Sequence, residues 1–231
     1  APPKTDPTPN PTPPPSPQPA RKVVLVDKPE RTQTQIDWGQ IGARMSDPDY
    51  YALSLANHAF GGPTFEARLM IEIRVKKGWS YGAGSSFRYA RHPRSWQVHL
   101  FPAEKDAPAA LAHTLAMTAT MAQEGPTEDE FNVAKTALIN GSGFLFNTPE
   151  KRIENRITET TLGLPAGFFE RAGESLKSVT REQSRAAFEK FYAKGNETIV
   201  VLGTAKSLKK ALAKELNQDE SKIEVIPYTT E

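Results

Sequence analysis

The sequence contains no cysteine, so neither a disulfide framework nor a thiolate metal site can form, and the chain suits a reducing or an oxidising compartment equally. It has no run approaching the ~20 apolar residues that a membrane helix needs. Charge of one sign is missing too. The formal net charge is +2, with Lys and Arg mixed among Asp and Glu, which leaves no field to steer a polyanion, and nucleic acid is not an expected partner. Histidine is scarce: His58, His92, His99 and His113 are the whole set. No two of them stand four apart, so no helix can present a His pair to one metal ion, and no metal ligand is expected in this chain. A Walker phosphate loop and a G-x-S-x-G nucleophile elbow are likewise absent.

Proline, by contrast, is concentrated. Half of residues 1–20, APPKTDPTPNPTPPPSPQPA, are proline, a composition that cannot bury a core and favours extended polyproline II. These residues are expected to be an inter-domain linker, able to span on the order of 60 Å at ~3.1 Å per residue. With no initiator Met and no basic-then-apolar leader at Ala1, a chain processed or excised from something longer is the expectation. Residues 21–231, with 38% hydrophobic and 24% charged residues in the whole chain, have the make-up of a globular domain.

Val23–Val26 form a β-branched run, and Ile36 and Trp38 alternate with Gln35 and Asp37, so two strands open the domain. Asp47-Pro48 reads as a helix start, with Tyr51, Leu53, Leu55 and Phe60 carrying the helix to Gly61-Gly62. A second helix is expected from about Phe65 to Lys77, with Phe65, Leu69, Met70 and Ile73 at helical spacing and Gly78 as its stop. Strand signals follow at 80–89 and 95–101. Helical patterns then cover 105–123, 127–146, 149–162, 167–177 and 180–194. Thr127…Glu130 and Thr180…Gln183 match the capping box. A strand at 198–203, a helix at 207–216 and a strand at 222–226 complete the pattern. Strand pairs followed by blocks of helix, without strict βαβ alternation, predict an α+β fold: a mainly antiparallel sheet with helices packed on one face.

The most informative stretch runs Asn57-His58-Ala59-Phe60-Gly61-Gly62, then Phe65-Glu66-Ala67-Arg68-Leu69, then Ile73-Arg74-Val75-Lys76-Lys77-Gly78-Trp79-Ser80-Tyr81. It resembles the pitrilysin/insulinase metalloproteases, and more narrowly their C-terminal half or the separate non-catalytic subunit of their two-chain relatives. There a helix, a glycine turn and small-x-Arg-Leu lead to an Arg and a Tyr seven positions apart, the separation of Arg74 and Tyr81 here. VVLVDKP, TQTQIDWGQIG, DPDYYAL, EGPTEDEFNVAK, SVTREQSRAAFEKFYA and ETIVVLG fall in the family's usual order, so the likeness spans roughly residues 21–226. Two departures stand out: Ala67 occupies a position where the family often has Ser, and the glycine turn is short.

The resemblance implies a half-domain that completes a zinc endopeptidase without holding the metal. The expected partner is a half or subunit carrying H-x-x-E-H and the zinc, the two forming a heterodimer-like chamber for unfolded peptide, and this chain would be inactive alone. Tyr81 would donate to the scissile carbonyl or its oxyanion, and Arg74 would hold a neighbouring substrate carbonyl. Gly61 and Gly62 would serve the turn first and a close peptide approach second. Spacing alone leaves a plainer alternative open, since an Arg in a last helical turn and a Tyr entering a strand both have ordinary structural explanations. A second alternative is a non-enzymatic assembly or peptide-binding module, because the family's fold also resembles core subunits of respiratory complexes. The compartment stays open, an exported bacterial location being the expectation.

Overall fold

A computed structural model describes residues 15–229. Residues 1–14, most of the expected linker, lie outside the described residues, and 15–20 are exposed and carry no helix or strand. The chain then forms β1 (Lys22–Asp27), β2 (Gln35–Ile41), α1 (Tyr50–Gly61), a π-helical segment (Met70–Lys76), β3 (Ser80–Phe87) and β4 (Ser95–Pro102). A helical block follows: α2 (Ala107–Glu124), α3 (Glu128–Ser142), α4 (Pro149–Leu162), α5 (Ala172–Ser178) and α6 (Arg181–Phe191). It is closed by β5 (Thr198–Gly203), α7 (Ala205–Glu215) and β6 (Ile223–Pro227).

The six strands make one sheet in the order β3-β4-β2-β5-β1-β6. The ladders β3/β4, β4/β2 and β2/β5 are antiparallel, while β1 runs parallel to both β5 and β6. The parallel pairs have a topological cause. Strand β5 reaches β6 through the α7 crossover and leaves room for one strand between them, which β1 fills. Alternation gives each strand one core-facing side: Val23, Leu25, Ile36, Trp38, Trp96, Val98, Leu100, Ile199 and Val201 are fully or almost fully buried against α1, α2, α6 and α7. Trp38 and Trp96 meet edge to face at 5.6 Å, and Phe60 of α1, Trp96 and Phe188 of α6 form a cluster of three mutually contacting rings. The predicted α+β class, with helices on one face, is the observed architecture.

Local signals set most boundaries. Both capping boxes form, with Thr127 bonded to the Glu130 N–H and Thr180 to the Gln183 N–H, each reciprocated by the N3 side chain. Three expected elements differ. The Asp47 carboxylate accepts from the backbone N–H and Nε of Arg44 instead of capping a helix, and α1 begins at Tyr50. The expected helix from Phe65 is a loop up to Ala67, so Phe65 is 68% exposed although its spacing reads as core. The 167–171 stretch is a turn, fixed by the buried carboxylate of Glu159, which accepts from the Phe168 N–H at 2.8 Å.

Candidate functional site

The site is built from two pieces of backbone that depart from regular geometry. The first is the π-helical segment. Its turn is widened by one residue: the Lys77 N–H bonds to Glu72 O, five positions back, and the Trp79 N–H to Ile73 O. Gly78 ends it in the left-handed region at φ 64°, a conformation that only glycine adopts freely. π-Turns of this kind recur at functional sites because they shift side chains off the regular helical stripe. Leu69 and Ile73 are fully buried, leaving Arg74 half-buried on the outer side.

The second piece is the start of β3. Register with β4 jumps between Ser80 and Ala83. The Ser80 hydroxyl fills the gap: it accepts from the Phe101 N–H at 2.8 Å and donates to Gly82 O at 2.6 Å. Such a bulge releases the extra residues from the ladder and re-aims a side chain. Tyr81 is the residue released, and its ring is 80% exposed.

The two pieces bring Arg74 and Tyr81 together. The guanidinium carbon of Arg74 lies 4.2 Å from the centre of the Tyr81 ring and 5.0 Å from that of Phe65. Among the described residues no carboxylate pairs with Arg74; Glu72, two residues away, binds Lys76 instead. The N–H edges of Arg74 and the phenol of Tyr81 are therefore available to a ligand. Trp79 packs at the corner against the core, edge to face with His113 at 5.7 Å.

The remaining motif residues hold this geometry. Arg68 donates from Nε to Glu130 at 2.8 Å and from an Nη to Gly125 O at 2.9 Å, tying the loop before the π-segment to the α2–α3 corner. Half-burial pushes the Glu130 carboxyl up, but the bonds from Arg68 and from the Thr127 N–H outweigh this and hold it below the usual carboxylate range. Asn57 accepts from Ser85 Oγ at 2.8 Å and from Trp96 Nε1 at 2.7 Å, pinning α1 to β3 and β4. Gly61 and Gly62 are buried. A Cβ on Gly61 would come 2.6 Å from the Ser85 backbone N and 2.8 Å from a Leu69 methyl, and one on Gly62 would come 2.7 Å from His58 O. Close approach of the chain to itself thus accounts for both glycines.

No three His, Asp or Glu side chains gather into a metal-binding set among the described residues. The four histidines are dispersed over α1, the 88–94 turn, β4 and α2. No helix among the described residues is long and apolar enough to cross a membrane. A broad cavity of about 1000 Å³ lies over the open face of the sheet, bordered by Asp37, Gln97, Thr198, His92 and Pro15. It includes neither Arg74 nor Tyr81, which form a surface patch away from it.

The helix-backed mixed sheet is the architecture of a metallopeptidase half-domain. The family model described as the peptidase M16 inactive domain matches residues 2–138, and the chain belongs to that family, the non-catalytic half of the pitrilysin-type peptidases. The peptidase M16 inactive domain from Pseudomonas fluorescens superposes with a TM-score of 0.72 at 28% identity, covering 79% of this chain and 44% of that one. A protease from Helicobacter pylori gives 0.72 at 13% identity, over 81% and 45%. A chain of complex III2 from Candida albicans gives 0.66 at 12%, over 85% and 49%. The chain spans less than half the length of each of these structures. No curated protein sequence gives a significant match.

Proposed function

We propose that this chain is the substrate-gripping part of a two-half zinc endopeptidase, pairing with a half that carries H-x-x-E-H, the zinc and the general base. The observation that supports it best is the Arg74–Tyr81 pair. Two hydrogen-bond donors of the right kind for a peptide carbonyl and its oxyanion are held side by side, facing outward, by a π-turn and a bulge. A phenol and a guanidinium aimed at developing charge contribute about 3 kcal/mol each in closed sites. An 80% exposed Tyr81 cannot act that way in open water, where each interaction is weakened by the solvent dielectric. The role therefore calls for a second body that covers the patch and excludes water, the same body that brings the metal. Gly61 and Gly62 enter through the loop shape they permit.

The whole enzyme's substrate class is unfolded peptide, which a covered chamber admits as extended chain. Reconstitution tests the reading. The chain mixed with its H-x-x-E-H half should cleave a quenched-fluorescence peptide that neither cleaves alone, and failure of any H-x-x-E-H chain to associate with it would refute the reading.

An assembly role is favoured by a separate observation. Phe144, Leu145, Ile153 and Ile157 are large, 40–66% exposed side chains along α4 and the turn before it, and one similar fold sits in complex III2. In that case the chain would co-purify in a stable complex that lacks H-x-x-E-H and peptidase activity.

A further inference from the structure

Phe65 has no packing reason for its position. It sits in the loop between α1 and the π-segment, 68% exposed, where a large apolar ring gains little from burial. Its neighbours in sequence are anchored firmly: Ala67 and Leu69 are buried and Arg68 is bonded to Glu130 and Gly125. Phe65 projects from this loop beside the exposed Glu66, and the group beneath its ring is the Arg74 guanidinium, at 5.0 Å from the ring centre. Tyr81 contacts the same guanidinium at 4.2 Å.

An unpaired arginine on a surface normally samples many rotamers. One held by two aromatic rings keeps its planar fork in one orientation, because the ring faces attract the cation and cover its apolar faces while leaving the N–H edges uncovered. The loop that carries Phe65 is in turn fixed by the Arg68–Glu130 pair, so the ring is delivered by a rigid support.

We infer that Phe65 is a positioning residue for the peptide-binding pair, clamping Arg74 against Tyr81 so that its fork is pre-aimed at a substrate carbonyl. This rests on the proposed role of Arg74 and Tyr81 for its catalytic consequence, but the clamp itself can be read without any partner. Phe65 acts through Arg74 and does not itself touch the reacting atoms.

The test has two arms. In the isolated ¹⁵N-labelled chain, Phe65→Ala should lower the order of the Arg74 Nε–H group and remove ring-current shifts from its side chain, while Phe65→Trp restores both. Thermal unfolding should stay unchanged, since the side chain is exposed. Unaltered Arg74 resonances in Phe65→Ala overturn the clamp outright. In the reconstituted peptidase, turnover of a quenched-fluorescence peptide by Phe65→Ala should fall roughly tenfold, carried by kcat with KM little changed, as expected when a donor loses its alignment. Phe65→Trp should recover it, and Phe65→Ala should cost nothing further in an Arg74→Ala background. An equal loss in that background means that Phe65 acts independently of Arg74 and contradicts the inference. If Arg74→Ala alone leaves turnover intact, it is the proposed function that falls, and the resonance arm still decides the clamp.

Discussion

The Ser80 hydroxyl takes the hydrogen bond of the Phe101 N–H at 2.8 Å, a bond that in an unbroken ladder would go to a backbone carbonyl of β3. This one side chain lets β3 begin with a bulge, and the bulge frees Tyr81 from the sheet. Ser80 is itself buried, so its hydroxyl makes these bonds inside the fold and not at the surface.

Replacing Ser80 by Ala leaves the Phe101 N–H without a partner and should destabilise the domain by about 1–3 kcal/mol. Urea unfolding measures the loss, and hydrogen exchange locates it: Phe101 should exchange faster while the β2 amides stay protected. Unchanged exchange at Phe101 would show that the bulge does not depend on this serine.

The glycines differ sharply in what they permit. Gly61→Ala drives a Cβ against the Ser85 backbone and should cost about 1–3 kcal/mol by overpacking. Gly141, in α3 with nothing within 4 Å of a built Cβ, should tolerate Ala with a gain of up to about 1 kcal/mol. Thermal midpoints of the two variants should move in opposite directions. A Gly61→Ala protein that keeps its midpoint but loses peptide turnover would instead show that Gly61 contacts substrate directly.

Glu130 gives the fold a defined acid sensitivity. Its carboxyl is held below the ordinary range, so in the unfolded chain it takes up its proton first as the pH falls. The stabilisation it provides is complete above the unfolded value of about 4.3 and is lost as the pH drops through the lower folded value. Melting followed from pH 6 to pH 3 should therefore show a shallower decline for Glu130→Gln than for the native protein. At neutral pH the Gln variant should be the less stable, because Arg68 loses its charged partner.

Much of this could be read from the chain itself, where the cause is local. The capping boxes at Thr127 and Thr180 lie within four residues, and the strands around Val23, Trp38 and Ile199 announce themselves by alternation. The Arg74 and Tyr81 positions were accessible through an ordered set of motifs. What was hidden depends on contacts between distant segments. A separation of four residues is compatible with a single turn of either kind, so Leu69 and Ile73 do not tell a π-turn from an α-turn. Phe65 shares that spacing yet is exposed, since Gly62 and Pro63 keep the chain out of a helix until Arg68. The bulge at Ser80 needs Phe101, which is 21 residues away. The parallel placement of β1 needs β5 and β6, nearly the full length of the domain.

The most direct test of the account is kinetic. In the chain reconstituted with the proposed H-x-x-E-H half, Tyr81→Phe and Arg74→Ala are measured for steady-state turnover of a quenched-fluorescence peptide, with zinc content and complex formation monitored alongside. Each is predicted to lower kcat/KM by about 100-fold while the complex still forms and the partner keeps its metal. Turnover by the double variant at the native rate would contradict the account.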